Sequence, residues 1–165
     1  MPIFGDDTDR RIFMIELRDA CRHYGVELHA YCLLSNHFHL LMHTPAARLS
    51  ATMQRLASRY TQIVNKRHLR DGPIFRGRFK SVTISDDAQL THVTRYIHLN
   101  PVEAGLAETP ASCPWSSAAA YLGAGIAPEW LVTDFLLSMF GGADAPAVYS
   151  RFLASGSDPG AERPR

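Results

Sequence analysis

The sequence predicts an α+β domain in which helices pack against an antiparallel β-hairpin. Three segments repeat apolar side chains at helical spacing, and two short apolar runs lie next to each other between the first and the second of them. With 165 residues, 46% of them hydrophobic, the chain is long enough to bury one substantial core. These observations favour one main domain with a small extension.

The first helix is expected over residues 7–24. Phe13, Leu17 and Tyr24 recur on one face there, and Gly25 follows in a C-cap position. Glycine is favoured at that position because it adopts the left-handed backbone conformation without a steric cost.

A hairpin is expected next, because only a Ser-Asn pair separates the apolar runs 26–34 and 37–43. In the second run, His37 and His39 are two positions apart and therefore project from one face of a strand. Two neutral imidazoles can bind one cation and leave coordination positions open, which suits chemistry on a phosphate. The alternative is a pair of packed or half-exposed histidines.

A second helix is expected over residues 50–67, with its basic side chains on the outer face. Residues 74–84 then alternate, which predicts a strand with three cations on one side. The segment from Arg55 to Lys80 contains eight basic residues, both ends included, and a single acidic one, Asp71. Aromatic residues interleave with these cations, which is typical of grooves that bind single-stranded nucleic acid. The alternative is that the basic residues only form a solvated helix face and a basic turn. The candidate residues for binding nucleic acid are Arg55, Arg59, Lys66, Arg67, Arg76, Arg78 and Lys80.

A third helix is expected to follow the N-cap around Asp86 and to stop at Pro101. Tyr96 and Asn100 are four residues apart on it and share a face. By periodicity alone, a tyrosine at this spacing is more often a core residue than a catalytic one. Beyond it, we expect a last helix near residues 132–140.

Composition excludes several classes of protein. The three cysteines are odd in number and lack CxxC spacing, so neither a disulfide framework nor a zinc cluster is indicated. No apolar stretch is long enough to span a membrane, and the N-terminus does not have the pattern of a signal peptide. We therefore expect a cytoplasmic protein. The net charge of +1 hides the basic central third, because the chain from residue 101 onward contains seven acidic residues and only three arginines.

Three motifs resemble those of the single-tyrosine HUH transposases of insertion sequences. They are SNHFHLLM at 35–42, GRFKS at 77–81 and RYIHLNPVEAGL at 95–106. In particular, they resemble the REP-associated tyrosine transposases, over a span from about residue 3 to residue 152. Three motifs in this order form a specific pattern, whereas any one of them alone is weak.

The resemblance implies a ferredoxin-like antiparallel sheet, with the histidines on a central strand and the tyrosine on a helix beside them. By this resemblance Tyr96 would be the nucleophile, and His37, His39 and Asn100 would bind a divalent metal, Mg²⁺ or Mn²⁺. Residues 1–106 would form the catalytic domain, 107–155 an extension packed on it and 156–165 a disordered tail.

The implied activity is metal-dependent cleavage and strand transfer of single-stranded or hairpin DNA through a 5′-phosphotyrosine, by a nucleoid-associated protein that could act as a homodimer. One alternative is a catalytically inactive, domesticated or truncated relative that binds structured single strands. Another is an unrelated phosphodiesterase that uses water as its nucleophile.

The chain departs from the family pattern at its start, because relatives carry a strand ahead of the first helix and that strand is apparently missing here. An internal start within a longer reading frame, a truncated copy, or a strand supplied by a partner chain would each explain the difference.

Overall fold

The computed structural model describes residues 2–156. Within this range, β1 and β2 form a two-stranded antiparallel sheet. In chain order the elements are α1 (Asp7–Tyr24), β1 (Glu27–Leu33), β2 (Phe38–His43), α2 (Leu49–His68), α3 (Asp87–Glu103), a 3₁₀ turn (Pro110–Ser112), α4 (Ala118–Tyr121), α5 (Asp134–Ser138) and α6 (Ala145–Ala154).

Local sequence sets the ends of the first and third helices. The Asp6 carboxylate accepts a hydrogen bond from the backbone N–H of Asp9 at the start of α1, and Gly25 ends that helix with φ of 65°. Asp86 caps α3 in the same way, by accepting from the N–H of Gln89. The predicted bounds of α1 and the predicted cap of α3 are therefore confirmed.

The hairpin separates two apolar clusters, because successive strand side chains point to opposite faces. Phe38 faces α1 and α2, and its ring centroid lies 4.8 Å from that of Phe13. Leu41 faces the other way and packs in a cluster with Ile97 of α3 and Tyr149 of α6. The face that carries His39 is therefore the face on which α3 packs.

A buried histidine joins α3 to the C-terminal elements. His98 is hydrogen-bonded through Nδ1 to the Tyr149 hydroxyl at 2.5 Å and through Nε2 to Ser117 Oγ at 2.7 Å. Ser117 Oγ also accepts a hydrogen bond from the backbone N–H of Tyr31 in β1 at 2.9 Å. The residues that follow position 107 thus contact both α3 and the sheet.

Burial lowers the pKa of His98 from 6.5 to about 3. As the pH falls below 6.5, His98 binds a proton in the unfolded chain but not in the folded one, so protonation favours unfolding. The contribution of His98 to the free energy of unfolding is therefore complete above pH 6.5 and is lost as the pH falls toward 3. We expect the free energy of unfolding to drop by about 1 kcal/mol between pH 7.5 and 5.5 on this account. Urea denaturation at the two pH values measures it. The H98Q variant, less stable at pH 7.5, should show a smaller pH dependence, and equal pH dependence in both proteins would contradict this assignment.

The structure corrects the prediction of a strand at residues 74–84. This segment is irregular and mostly exposed, and none of the described strands pairs with it. An alternating pattern is compatible with a strand, but a strand forms only where a neighbour supplies hydrogen bonds. The histidine pair likewise lies at β2, whose outer edge is unpaired among the described strands, and not on a central strand.

The predictions for the later helices also need correction. Helix α3 passes through Pro101 and ends at Glu103, because its last turn is held by hydrogen bonds such as Leu106 N–H to the Pro101 carbonyl at 2.8 Å. The helix expected at 132–140 is the short α5, and α6 was not predicted. The predicted disordered tail lies, apart from Gly156, outside the described residues.

Candidate active site

The two predicted histidines and the predicted tyrosine meet on the α3 side of the hairpin. The ring centroid of His39 lies 5.2 Å from that of His37 and 5.3 Å from that of Tyr96. Tyr96 follows the two histidines by nearly sixty positions in sequence, and it is the packing of α3 on the hairpin that brings the three rings together. This arrangement places a phenol next to a pair of imidazoles.

His39 offers a nitrogen that nothing in the described part of the chain satisfies. Its Nε2 is buried and has no hydrogen-bond partner there. Burial, and in second place the neighbouring His37, lower the pKa of His39. The imidazole is therefore neutral at pH 7, with a lone pair available to a cation. An unpartnered buried nitrogen costs stability, so a ligand for it would be favourable.

The preceding residue orients His37. Its Nδ1 lies 2.8 Å from Asn36 Oδ1. An amide oxygen only accepts hydrogen bonds, so Nδ1 donates this bond and Nε2 is the ring nitrogen that is left for a ligand. Metal-binding histidines in proteins are commonly oriented by such a bond on the other ring nitrogen. His37 and His39 therefore fit a divalent metal.

A groove runs beside these rings, lined by β2, by the segment 74–84 and by one face of α3. The structure does not bring Asn100 into this groove. Tyr96, Leu99 and Glu103 of α3 line the groove, whereas Asn100 is buried and does not. A residue four positions along a helix is rotated by about 40°, and here the rotation is toward the core. The prediction of Asn100 as a third metal ligand stays a prediction, and the groove-lining carboxylate nearest in sequence is that of Glu103.

The predicted DNA-binding cations fall into two groups. Arg76, Arg78 and Lys80 are exposed and line the groove that also contains the histidines and Tyr96. The cations of α2 do not line it. Arg59 is bonded to Glu16 at 3.1 Å, and Arg67 is bonded to buried Asp9 at 2.7 Å, so both tie α2 to α1.

Sequence reasoning missed one groove-lining cation, Arg95. Its guanidinium carbon lies 4.3 Å from the centroid of the Phe152 ring, which holds the side chain against α6. The signal available was its position directly before Tyr96 in the RYIHLN motif. A helix residue next to a predicted nucleophile is not on the same face, which is why the pattern gave no reason to select it.

Comparison with known proteins agrees with this geometry. The sequence model of the family described as "Transposase IS200 like" matches residues 2–100. A REP-associated tyrosine transposase of Haemophilus influenzae (strain ATCC 51907 / DSM 11121 / KW20 / Rd), so described in its name, is 30% identical over 128 residues. That match spans 71% of this chain and 73% of the relative. The chain belongs to the REP-associated branch of the IS200-like tyrosine transposases.

A solved structure supports the same fold for this transposase-family chain. A REP-associated tyrosine transposase bound to a REP hairpin superposes with a TM-score of 0.63, at 19% sequence identity. The superposition covers 77% of this chain and 75% of that one. The prediction of an α+β fold of the tyrosine transposase type is confirmed. Among residues 2–156, no helix has both the length and the hydropathy needed to cross a membrane.

Proposed function

We propose that this transposase is a metal-dependent endonuclease and strand transferase that acts on single-stranded DNA flanked by hairpins, through a 5′-phosphotyrosine. The observation that supports it most directly is the Tyr96 ring beside His39, whose buried Nε2 is unpartnered within residues 2–156. Together with the exposed cations of the same groove, these side chains supply a nucleophile, a metal position and a surface for a polyanion.

The metal would be held by the Nε2 atoms of His37 and His39, with remaining positions open to the substrate and to an oxygen ligand, for which Asn100 is the predicted residue. A divalent cation there supplies charge stabilisation at a non-bridging phosphate oxygen. Magnesium and manganese suit a site that is completed by oxygen ligands. The neutral state of His39, which its lowered pKa maintains at pH 7, is the state that such binding requires.

In the cleavage step, the Tyr96 oxygen forms a bond to the scissile phosphorus and gives up its proton, while the bond from phosphorus to the 3′-oxygen breaks. The 3′-oxygen leaves as a free hydroxyl, and the 5′ end stays on the protein as a phosphotyrosine. Because the new link is itself a phosphodiester, attack by a 3′-hydroxyl reverses the step and transfers the strand without ATP.

The relative bound to a REP hairpin suggests the substrate class. In this chain, Arg76, Arg78 and Lys80 would neutralise phosphates along the groove, and such contacts position a strand more than they read its sequence. The dimer remains a prediction.

The direct test is a search for the covalent adduct. The purified protein is incubated with end-labelled DNA hairpins that carry single-stranded flanks, in Mn²⁺ or Mg²⁺, and the products are separated on a denaturing gel. We expect a labelled protein–DNA species that depends on the metal, and mass spectrometry should locate the nucleotide on the peptide that contains Tyr96. An adduct on a different residue would overturn the assignment of the nucleophile.

One observation favours a second candidate, a non-catalytic protein that binds structured single strands. Asn100 is buried outside the groove lining, so two histidines are the predicted metal ligands that face the groove. This function predicts tight, salt-sensitive hairpin binding without cleavage in any divalent metal.

The groove cations should dominate the salt dependence of DNA binding. In the R76A/R78A variant, we expect the slope of log affinity against log salt concentration to become shallower by about 1.4, since each phosphate contact to a single strand contributes about 0.7. The matched control is R55A/K66A, which removes two cations of α2 that do not line the groove. Equal losses in both variants would show instead that the strand also crosses α2.

A further inference from the structure

A second cluster of metal-ligating side chains lies at the opposite end of the hairpin from His37. The Glu27 Oε2 atom is 3.1 Å from His29 Nε2 and 3.1 Å from His43 Nδ1. One ligating atom from each of the three side chains falls within 4.8 Å of the other two. None of these residues takes part in the proposed cleavage.

The strand pairing builds this cluster. Glu27 and His43 are opposite each other at the end of the β1–β2 ladder, so their side chains share a face. The register shifts between Leu28 and Ala30, which leaves His29 as the extra residue of a β-bulge. His29 lies two positions from Glu27 on the same strand and therefore shares its face, and the shift in register at the bulge is what sets Glu27 opposite His43.

His29 is fixed more firmly than the other two side chains. It is 8% exposed, against 47% for Glu27 and 62% for His43. Its backbone carbonyl accepts a hydrogen bond from the Tyr121 hydroxyl at 2.6 Å, and its ring meets Phe135 edge-on at 5.8 Å. One buried ligand would thus be preorganised, while two accessible ligands could close on an incoming ion.

The charge and spacing of the three groups suit a cation. One carboxylate and two imidazoles are ligand groups that bind divalent cations. Ligands bound at about 2.0–2.2 Å from one ion are about 3.0–3.5 Å apart, and the two distances of 3.1 Å from Glu27 Oε2 to the histidine nitrogens lie in that range. All three residues line the groove, so an ion held here would keep positions open toward it.

We propose that Glu27, His29 and His43 form a second divalent metal site, separate from the one at His37 and His39. Two imidazoles with one carboxylate favour a first-row transition metal such as Zn²⁺ or Co²⁺ over Mg²⁺, which prefers oxygen ligands throughout. His43 is four positions beyond His39 on the same strand, so the two sites would be about 13 Å apart. The proposal does not depend on the nuclease activity.

The test measures metal stoichiometry, with no DNA present. Untagged H37A/H39A protein, which lacks the first site, is titrated with Zn²⁺ by calorimetry and with Co²⁺ by visible absorption. We expect one equivalent of Zn²⁺ and a cobalt d–d spectrum that reports nitrogen ligation. Adding H43A or E27Q to that background should remove both signals, and these exposed side chains can be changed without disturbing the core.

The control in the same background is H23Q, which removes an exposed histidine of α1 and should leave both signals unchanged. Absence of binding by H37A/H39A would show that the three side chains are a hydrogen-bonded cluster only, and would overturn the proposal. Retention of the full equivalent after H43A would overturn it equally. Either result leaves the proposed cleavage by Tyr96 untouched.

Discussion

The Y96F variant is expected to form no covalent DNA adduct and to bind hairpin DNA within about twofold of the unchanged protein. Phenylalanine keeps the ring that packs on His39 but lacks the oxygen that would bond to phosphorus. Covalent catalysis requires that oxygen, so the cleavage rate should fall below detection. The measurement is a denaturing gel of labelled hairpin product, alongside a binding titration of the same protein.

The matched control is Y24F, which removes the hydroxyl of a half-buried tyrosine of α1. It should retain full cleavage. If Y96F still forms the adduct, another residue is the nucleophile. If Y96F instead cleaves without forming an adduct, the reaction uses water, and the protein is a phosphodiesterase of a different mechanism.

The H39Q variant is expected to lose metal-dependent cleavage by at least about a hundredfold, since charge stabilisation by a metal contributes several kcal/mol to such a transition state. The loss should not reflect unfolding. The Nε2 of His39 has no hydrogen-bond partner in the described part of the chain, so its removal breaks no such bond there.

Cleavage rates at a series of Mn²⁺ concentrations measure this effect, with thermal unfolding as a check on the fold. The control is H92Q, because His92 is an exposed histidine that lines the same groove on α3. We expect H92Q to cleave at the unchanged rate. Equal losses in H39Q and H92Q would mean that groove charge, and not a metal ligand, governs the reaction.

The elements that sequence predicted well are those whose cause is local. The helix at residues 7–24 and the hairpin after it follow from apolar spacing, a cap and a short turn, and all of these can be read from neighbouring residues. The segment at 74–84 has a strand-like pattern, but its conformation depends on whether another strand lies beside it.

The same distinction applies to the candidate site. His37, His39 and Tyr96 could be selected from motifs, and their proximity then required only that α3 pack on the hairpin. The pairing of Glu27 with His43 could not be predicted, because it depends on the β-bulge at His29, and an extra residue in a ladder is a property of the pairing of two strands.

The hydrogen bonds of His98 have a consequence for anyone who would reduce this protein to a minimal catalytic unit. His98 lies two positions from Tyr96 and therefore on roughly the opposite side of α3. Its partners, Ser117 and Tyr149, both come from the C-terminal part of the chain. A fragment that ends near residue 106 would retain every predicted catalytic side chain, but it would lack the contacts that hold the tyrosine-bearing helix against the hairpin. The last third of the chain thus supports the predicted nucleophile through the side of α3 that faces away from it.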